Sequence, residues 1–165
     1  MKPVRLLTVL AILLGGCASY DGKGLVPGQS TGADAEALMG KPTERVTSGD
    51  GDTILFYSRQ PLGRQIHAVR VAPDGRVRSV QQTLTELNLR NAVPGTTTRA
   101  QVREIFGPPY QTTYFPRQQR EVWTYTMYDL SQMEFLLHVQ MSDDGIVREV
   151  MMIKDYNKEP GGTKD

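Results

Sequence analysis

Seventeen residues of this chain are written twice. The segment from Val26 to Pro42 aligns without gaps on the segment from Val93 to Pro109, at an offset of 67, and seven positions are identical: Val, Pro, Gly, Thr, Ala, Gly and Pro. The same offset carries Phe56 onto Trp123, then widens to 70 where Asp74-Gly75 meets Asp144-Gly145, as a three-residue insertion requires. A duplication that keeps register over most of the chain restricts the fold to two copies of one small unit. Pieces of roughly 60 residues bury too little surface to be robust alone, so the copies are expected to share a core.

Each copy spells out the same local structure. Val-Pro-Gly is a turn, because proline presets its φ and glycine accepts a positive one. In the second copy Thr98 is a helix cap with Gln101 three residues on, and Val102, Ile105 and Phe106 follow on one face. In the first copy Thr31 takes the cap position, with Ala35, Leu38 and Met39 on that face. Gly40 and Gly107 supply the left-handed stop, and Pro42 and Pro109 prevent continuation. The result is a helix of about two turns, unstable unless its apolar face is held by a larger element.

That element is expected to be a sheet. Three strand-like runs follow each helix: 53–58, 65–71 and 76–80 in the first copy, then 122–128, 133–141 and 146–153 in the second. Pro73-Asp74-Gly75 and Asp143-Asp144-Gly145 join the second run to the third as hairpins. Trp123, Tyr125 and Met127 alternate with Val122, Thr124, Thr126 and Tyr128, a period-2 pattern with one buried face. The fold class is therefore α+β: two tandem repeats, 26–82 and 83–153, each of short helices followed by a three-stranded antiparallel meander, with helices on one face only. A further short helix is expected from Leu84 to Leu89, starting near Thr85, and has no counterpart in the first copy.

The first 25 residues obey a different logic. Lys2 and Arg5 precede an apolar run from Leu6 to Leu14, the pattern of an export signal and too short to span a bilayer. The run ends in Leu14-Gly15-Gly16-Cys17, which resembles the lipobox of bacterial lipoproteins. That resemblance implies removal of residues 1–16, acylation of Cys17 and a lipidated tether over 17–25. The alanine at position 18, rather than aspartate, implies sorting to the outer membrane, with the body of the protein facing the periplasm. Cys17 is the sole cysteine, so no disulfide is available. Lysines and arginines number 19 against 18 acids. So even a balance offers no field for gathering nucleic acid, and membrane attachment must come from lipid.

The run Val-Pro-Gly-Thr-Thr-Thr-Arg-Ala-Gln-Val-Arg-Glu-Ile-Phe-Gly-Pro-Pro, then Trp123-Thr124-Tyr125, then an Asp-Gly hairpin, resembles the SmpA/OmlA (BamE-like) family of small outer-membrane lipoproteins. The match covers 83–153 well and 26–82 more weakly. It implies a helix pair on a three-stranded sheet and a partner in the β-barrel assembly machinery or another envelope protein. The tandem form also resembles the β-lactamase inhibitor protein, which implies an alternative: a concave sheet gripping a soluble periplasmic protein.

The residues carry no recognisable catalytic or metal constellation. His67 and His138 fall on second strands but do not align, and are expected as surface residues. No thiol remains for nucleophilic chemistry, and no serine sits in a Gly-x-Ser-x-Gly elbow. Asp50-Gly51-Asp52 and Asp143-Asp144-Gly145 lack a calcium loop and its closing glutamate, and read as turns. Neither Asp50 with Asp52 nor Glu121 with Glu134 has a pocket legible around it. No cofactor is expected, and the tail over 154–165 is polar. Aromatic residues are the exception. Tyr114 and Phe115, in an expected loop with Arg117 and Arg120, have the composition of an interaction hot spot. With an open sheet face carrying Tyr128, Leu136, His138 and Arg148, they are the candidate partner-binding residues.

Overall fold

Both repeats start from the same cap. In the computed structural model, which describes residues 19–155, Thr31 caps α1 (Gly32–Met39) and Thr98 caps α3 (Arg99–Phe106). Each threonine oxygen accepts the backbone N–H three residues on, while Asp34 or Gln101 reaches back to the cap N–H. Gly40 and Gly107 end the helices at φ of 84° and 85°, where only glycine is at ease. The expected extra helix is present as α2 (Glu86–Leu89), capped by Thr85.

The sheets have four strands each, one more than the three expected. Sheet 1 is β1 (Glu44–Thr47), β2 (Thr53–Ser58), β3 (Ile66–Val71) and β4 (Val77–Gln82). Sheet 2 is β5 (Gln111–Phe115), β6 (Arg120–Tyr128), β7 (Glu134–Ser142) and β8 (Val147–Lys154). Both are antiparallel meanders in sequence order. The added strands are edges that follow each Gly-x-Pro stop. β1 is four residues long with a single apolar side chain, Val46, on its half-buried face, and β5 has no buried face, so neither carries the apolar alternation by which a strand is read.

The duplication extends to individual hydrogen bonds. Gly28 donates to Val77 O as Gly95 does to Val147 O, and a bulge falls at Arg70/Val71 in β3 and at Gln140/Met141 in β7. The turns over 72–76 and 142–146 are the expected hairpins. Asp50-Gly51 turns β1 into β2. One sequence correspondence needs correction. Phe56 pairs with Ala68, and Trp123 with Val139, so the bulge-aligned partner of Trp123 is Leu55. A one-residue slip changes the face, and that is what happens: Trp123 points at its own helix, while Phe56 points away from α1.

Leu55, Tyr57, Val69 and Val77 pack with Ala35 and Met39 of α1 in one core. Ile54, Phe56, Ile66 and Ala68, on the opposite face of sheet 1, join Val102 and Phe106 of α3 and Trp123, Tyr125, Leu137 and Val139 of sheet 2 in a larger core. Sheet 1 therefore lies between two helix layers, and α3 lies between two sheets. A Cβ on Gly107 would sit 2.7 Å from Phe56 Cδ1, so the glycine also permits this close approach. Polar groups are matched there too: Tyr125 hydroxyl donates to Gly107 O at 3.0 Å, and Thr83 hydroxyl to Phe106 O at 2.8 Å.

Residues 19–25, expected as a tether, are part of the packed body. Tyr20 and Leu25 lie on the first core, and Gly22 fits closely against Val80. The expected export signal, Cys17 and nearly all of the polar tail lie outside the described residues. No described helix is long and apolar enough to cross a membrane.

Candidate functional site

The face of sheet 2 that points away from α3 is the structural counterpart of the sheet 1 face that repeat 2 covers. Bulge-based register matches Ile54 to Val122, Ile66 to Leu136 and Ala68 to His138. The three sheet 1 residues are buried; their sheet 2 counterparts are partly exposed. Met151 and Ile153 of β8 complete the strip, since they pair with His138 and Leu136. The fold thus presents at its open end a copy of the surface it uses internally to join its halves.

Chemistry along this face is mixed. Thr124 Oγ1 lies 3.1 Å from His138 Nδ1 in the middle of the sheet. Burial pushes the His138 imidazole below its usual range, so the ring is neutral at pH 7. Tyr128 closes the strip at one end. There the loop over 59–65 hooks onto the stretch of β6 that β5 leaves unpaired. Gln60 donates to Thr126 O at 2.7 Å and accepts from Thr126 N, and Thr126 hydroxyl donates to Gly63 O. Arg64, buried, meets Glu134 at 2.7 Å and also donates to the carbonyls of Pro61 and Leu62.

The expected aromatic loop is instead the hairpin of β5 and β6, with Arg117 in its turn. Strand alternation separates its two aromatics. Phe115, opposite Arg120, belongs to the open face, whereas Tyr114 lies on the helix side, where its hydroxyl donates to Asp143 at 3.0 Å. Arg120 donates to carbonyls of its own turn. Arg148 is the extra residue of the β8 bulge, and its guanidinium is tied to Ser142 and Asp144 of the hairpin. Phe115, Leu136, His138 and Tyr128 therefore share one surface; Tyr114 and Arg148 serve local structure.

The remaining titratable groups are likewise held in place. His67, expected at the surface, is buried on the α1 side beside Tyr20, and burial lowers its pKa. Asp50 accepts from Ser48 and Arg70, whereas the buried Asp52 lies 3.5 Å from Arg70 and 3.3 Å from Arg78. Glu121 accepts from Trp123 Nε1 and pairs with Arg99. No group of three or more metal-ligating residues occurs among the described residues. A polar cleft of about 400 Å³, lined by Arg70, Gln81, Asn88, Gln101 and Glu104, opens between sheet 1 and the helices of repeat 2.

Set against known proteins, the chain matches no family model and no curated protein. Among solved structures it is similar to a DUF4309 family protein (YjgB) from Bacillus subtilis, at 20% identity over 81% of this chain and 84% of that one, with a TM-score of 0.31.

Proposed function

We propose that the protein is a non-enzymatic lipoprotein of the outer membrane that works as a protein-interaction module in the cell envelope, in β-barrel assembly or envelope integrity. The carrying observation is the open face of sheet 2: an apolar and aromatic strip of Phe115, Leu136, Met151 and Ile153 around a neutral His138, built on the register that buries Ile54 and Ile66 in repeat 1. A surface of this type loses little conformational entropy when covered, because rigid strands hold it. The lipobox-like Cys17 supports the envelope location. An inhibitor-like saddle has less support, since a grip by joined sheets needs one continuous surface and the two sheets are separate.

The test is photocrosslinking in living cells from position 115, followed by identification of the attached protein. An outer-membrane assembly or envelope component is expected, and Leu136→Asp should abolish the crosslink. Capture of a soluble periplasmic enzyme would replace this reading with the inhibitor-like one.

A further inference from the structure

The two ends of the molecule differ in chemistry. One end holds four turns, over 48–52, 72–76, 116–119 and 142–146, whose tips are Gly, Pro, Asp, Gln and Arg. At the opposite end lie the loop over 59–65, the loop over 129–133 and α2, and they carry the three most exposed large apolar side chains among the described residues: Leu62 at 91%, Leu130 at 86% and Leu87 at 74%. Leu62 and Leu130 occupy equivalent loops of the two repeats, so the feature is duplicated with the fold. A single exposed leucine is ordinary on a protein surface; what sets these apart is that both repeats place one at the same end of the molecule.

The N-terminal segment of the chain leads to the same end. Its described part starts at Ser19, and Ser19 and Tyr20 are at the leucine end: Arg59 stacks over the Tyr20 ring at 3.7 Å, and Ser19, Tyr20, Arg59, Gly63 and Tyr128 line one cavity of about 510 Å³. Leu130 is joined to the same end through its N–H, which donates to Glu86 of α2 at 3.0 Å. Because residues 19–25 are packed rather than loose, only Ala18 separates Cys17 from the folded body, and two residue steps reach at most ~7 Å. An acylated Cys17 therefore holds this end, and no other, against the headgroups.

We infer that the protein docks end-on upon the bilayer, with Leu62 and Leu130 entering the lipid interface beside the acyl anchor, so that the β5–β6 hairpin with Phe115 stands at the end farthest from the membrane. This orientation rests on the lipoprotein reading of Cys17. It gives the leucine end the lipid contact and leaves the open face of sheet 2 along the side of the molecule for a protein, from Tyr128 nearest the bilayer to Phe115 farthest from it.

The experiment uses the full chain purified from membranes and reconstituted into vesicles of phosphatidylethanolamine and phosphatidylglycerol. An environment-sensitive fluorophore is placed on Leu62→Cys, Leu130→Cys or, as control, Gln118→Cys in the opposite turn. Quenching by lipids with brominated acyl chains should be several-fold stronger at 62 and 130 than at 118, with a blue-shifted emission. Equal, weak quenching at all three positions in a protein whose mass shows an acylated Cys17 overturns the orientation and leaves the lipoprotein reading intact; it would assign the leucines to a protein partner instead. A mass showing Cys17 bare overturns both.

Discussion

Repeat 1 and repeat 2 share helix caps, strand order, bulges and hairpins, yet the backs of their sheets have opposite fates. Behind sheet 1, Ile54, Phe56 and Ile66 meet the helix layer of repeat 2 and are buried. Behind sheet 2 the same positions hold Val122 and Leu136, which are half-buried, and Thr124, buried beside His138, and no further repeat among the described residues covers them. One backbone plan thus serves twice, and neighbours decide which side chains it carries. A tandem of stacked units needs a different surface at its end, as terminal units of repeat proteins do.

The largest difference between the repeats should show at the helix stops. Gly107→Ala adds a Cβ 2.7 Å from Phe56 at φ 85°, whereas Gly40→Ala meets nothing within 4 Å at φ 84°. Backbone strain costs each about 1–3 kcal/mol, and the clash adds about 1–3 kcal/mol to Gly107 alone. Denaturant titration should rank them accordingly, and equal losses would mean that sheet 1 does not press on α3. Next comes the clasp between repeats. Arg64→Ala removes a buried guanidinium from the half-buried Glu134 and frees the loop over 59–65, with a loss of about 2 kcal/mol, the scale of a hydrogen bond to a charged group. That loss should shrink in a Glu134→Gln background, which a double-mutant cycle measures.

Smaller effects test where the repeats are alike. Thr31→Ala and Thr98→Ala each remove a capping box and should cost about 1 kcal/mol apiece. The smallest effect is a pH dependence. Burial lowers the pKa of His67 and His138, so the unfolded chain binds protons more readily, and stability is lost as pH falls below the ordinary histidine value of about 6.5. Asp34, Asp50 and Asp144 are held low by hydrogen bonds and keep their contribution through this window. From pH 7.5 to 5.5 the melting temperature should drop, by up to about 1 kcal/mol equivalent per histidine. His67→Gln should remove more of that drop than His138→Gln, because His67 is the more buried.

What the sequence disclosed follows from how local each signal is. Caps and stops were legible because Thr98, Gln101 and Gly107 act within one helix. The central strands were legible because one face is buried, as at Trp123, Tyr125 and Met127. The edge strands escaped: Glu44–Thr47 is short and half exposed, and the β-prone Gln111–Phe115 lacks a buried side. The one-residue slip between Phe56 and Trp123 escaped because both are aromatic, and only the pairing partners show which face each takes. Alternation places Tyr128, Leu136 and His138 on one sheet face, while Phe115, expected in a loop, joins that face only once β5 is seen to pair with β6. Tyr114 turns to the helix side because the expected loop is a strand, and Arg148 is the extra residue of a bulge that no sequence pattern marks.

The central claim is that one sheet face is consumed inside the molecule and its counterpart is left for a partner. Thermal unfolding of Ile66→Asp and Leu136→Asp, the same structural position in the two repeats, tests it most directly. An aspartate at 66 must be buried among Phe56, Phe106 and Gly107 and should unfold the whole chain near room temperature, while one at 136 should leave a single transition within a few degrees of the parent, by the scale of ordinary surface changes. Comparable losses at both positions would show that the two faces are equally buried and contradict the account.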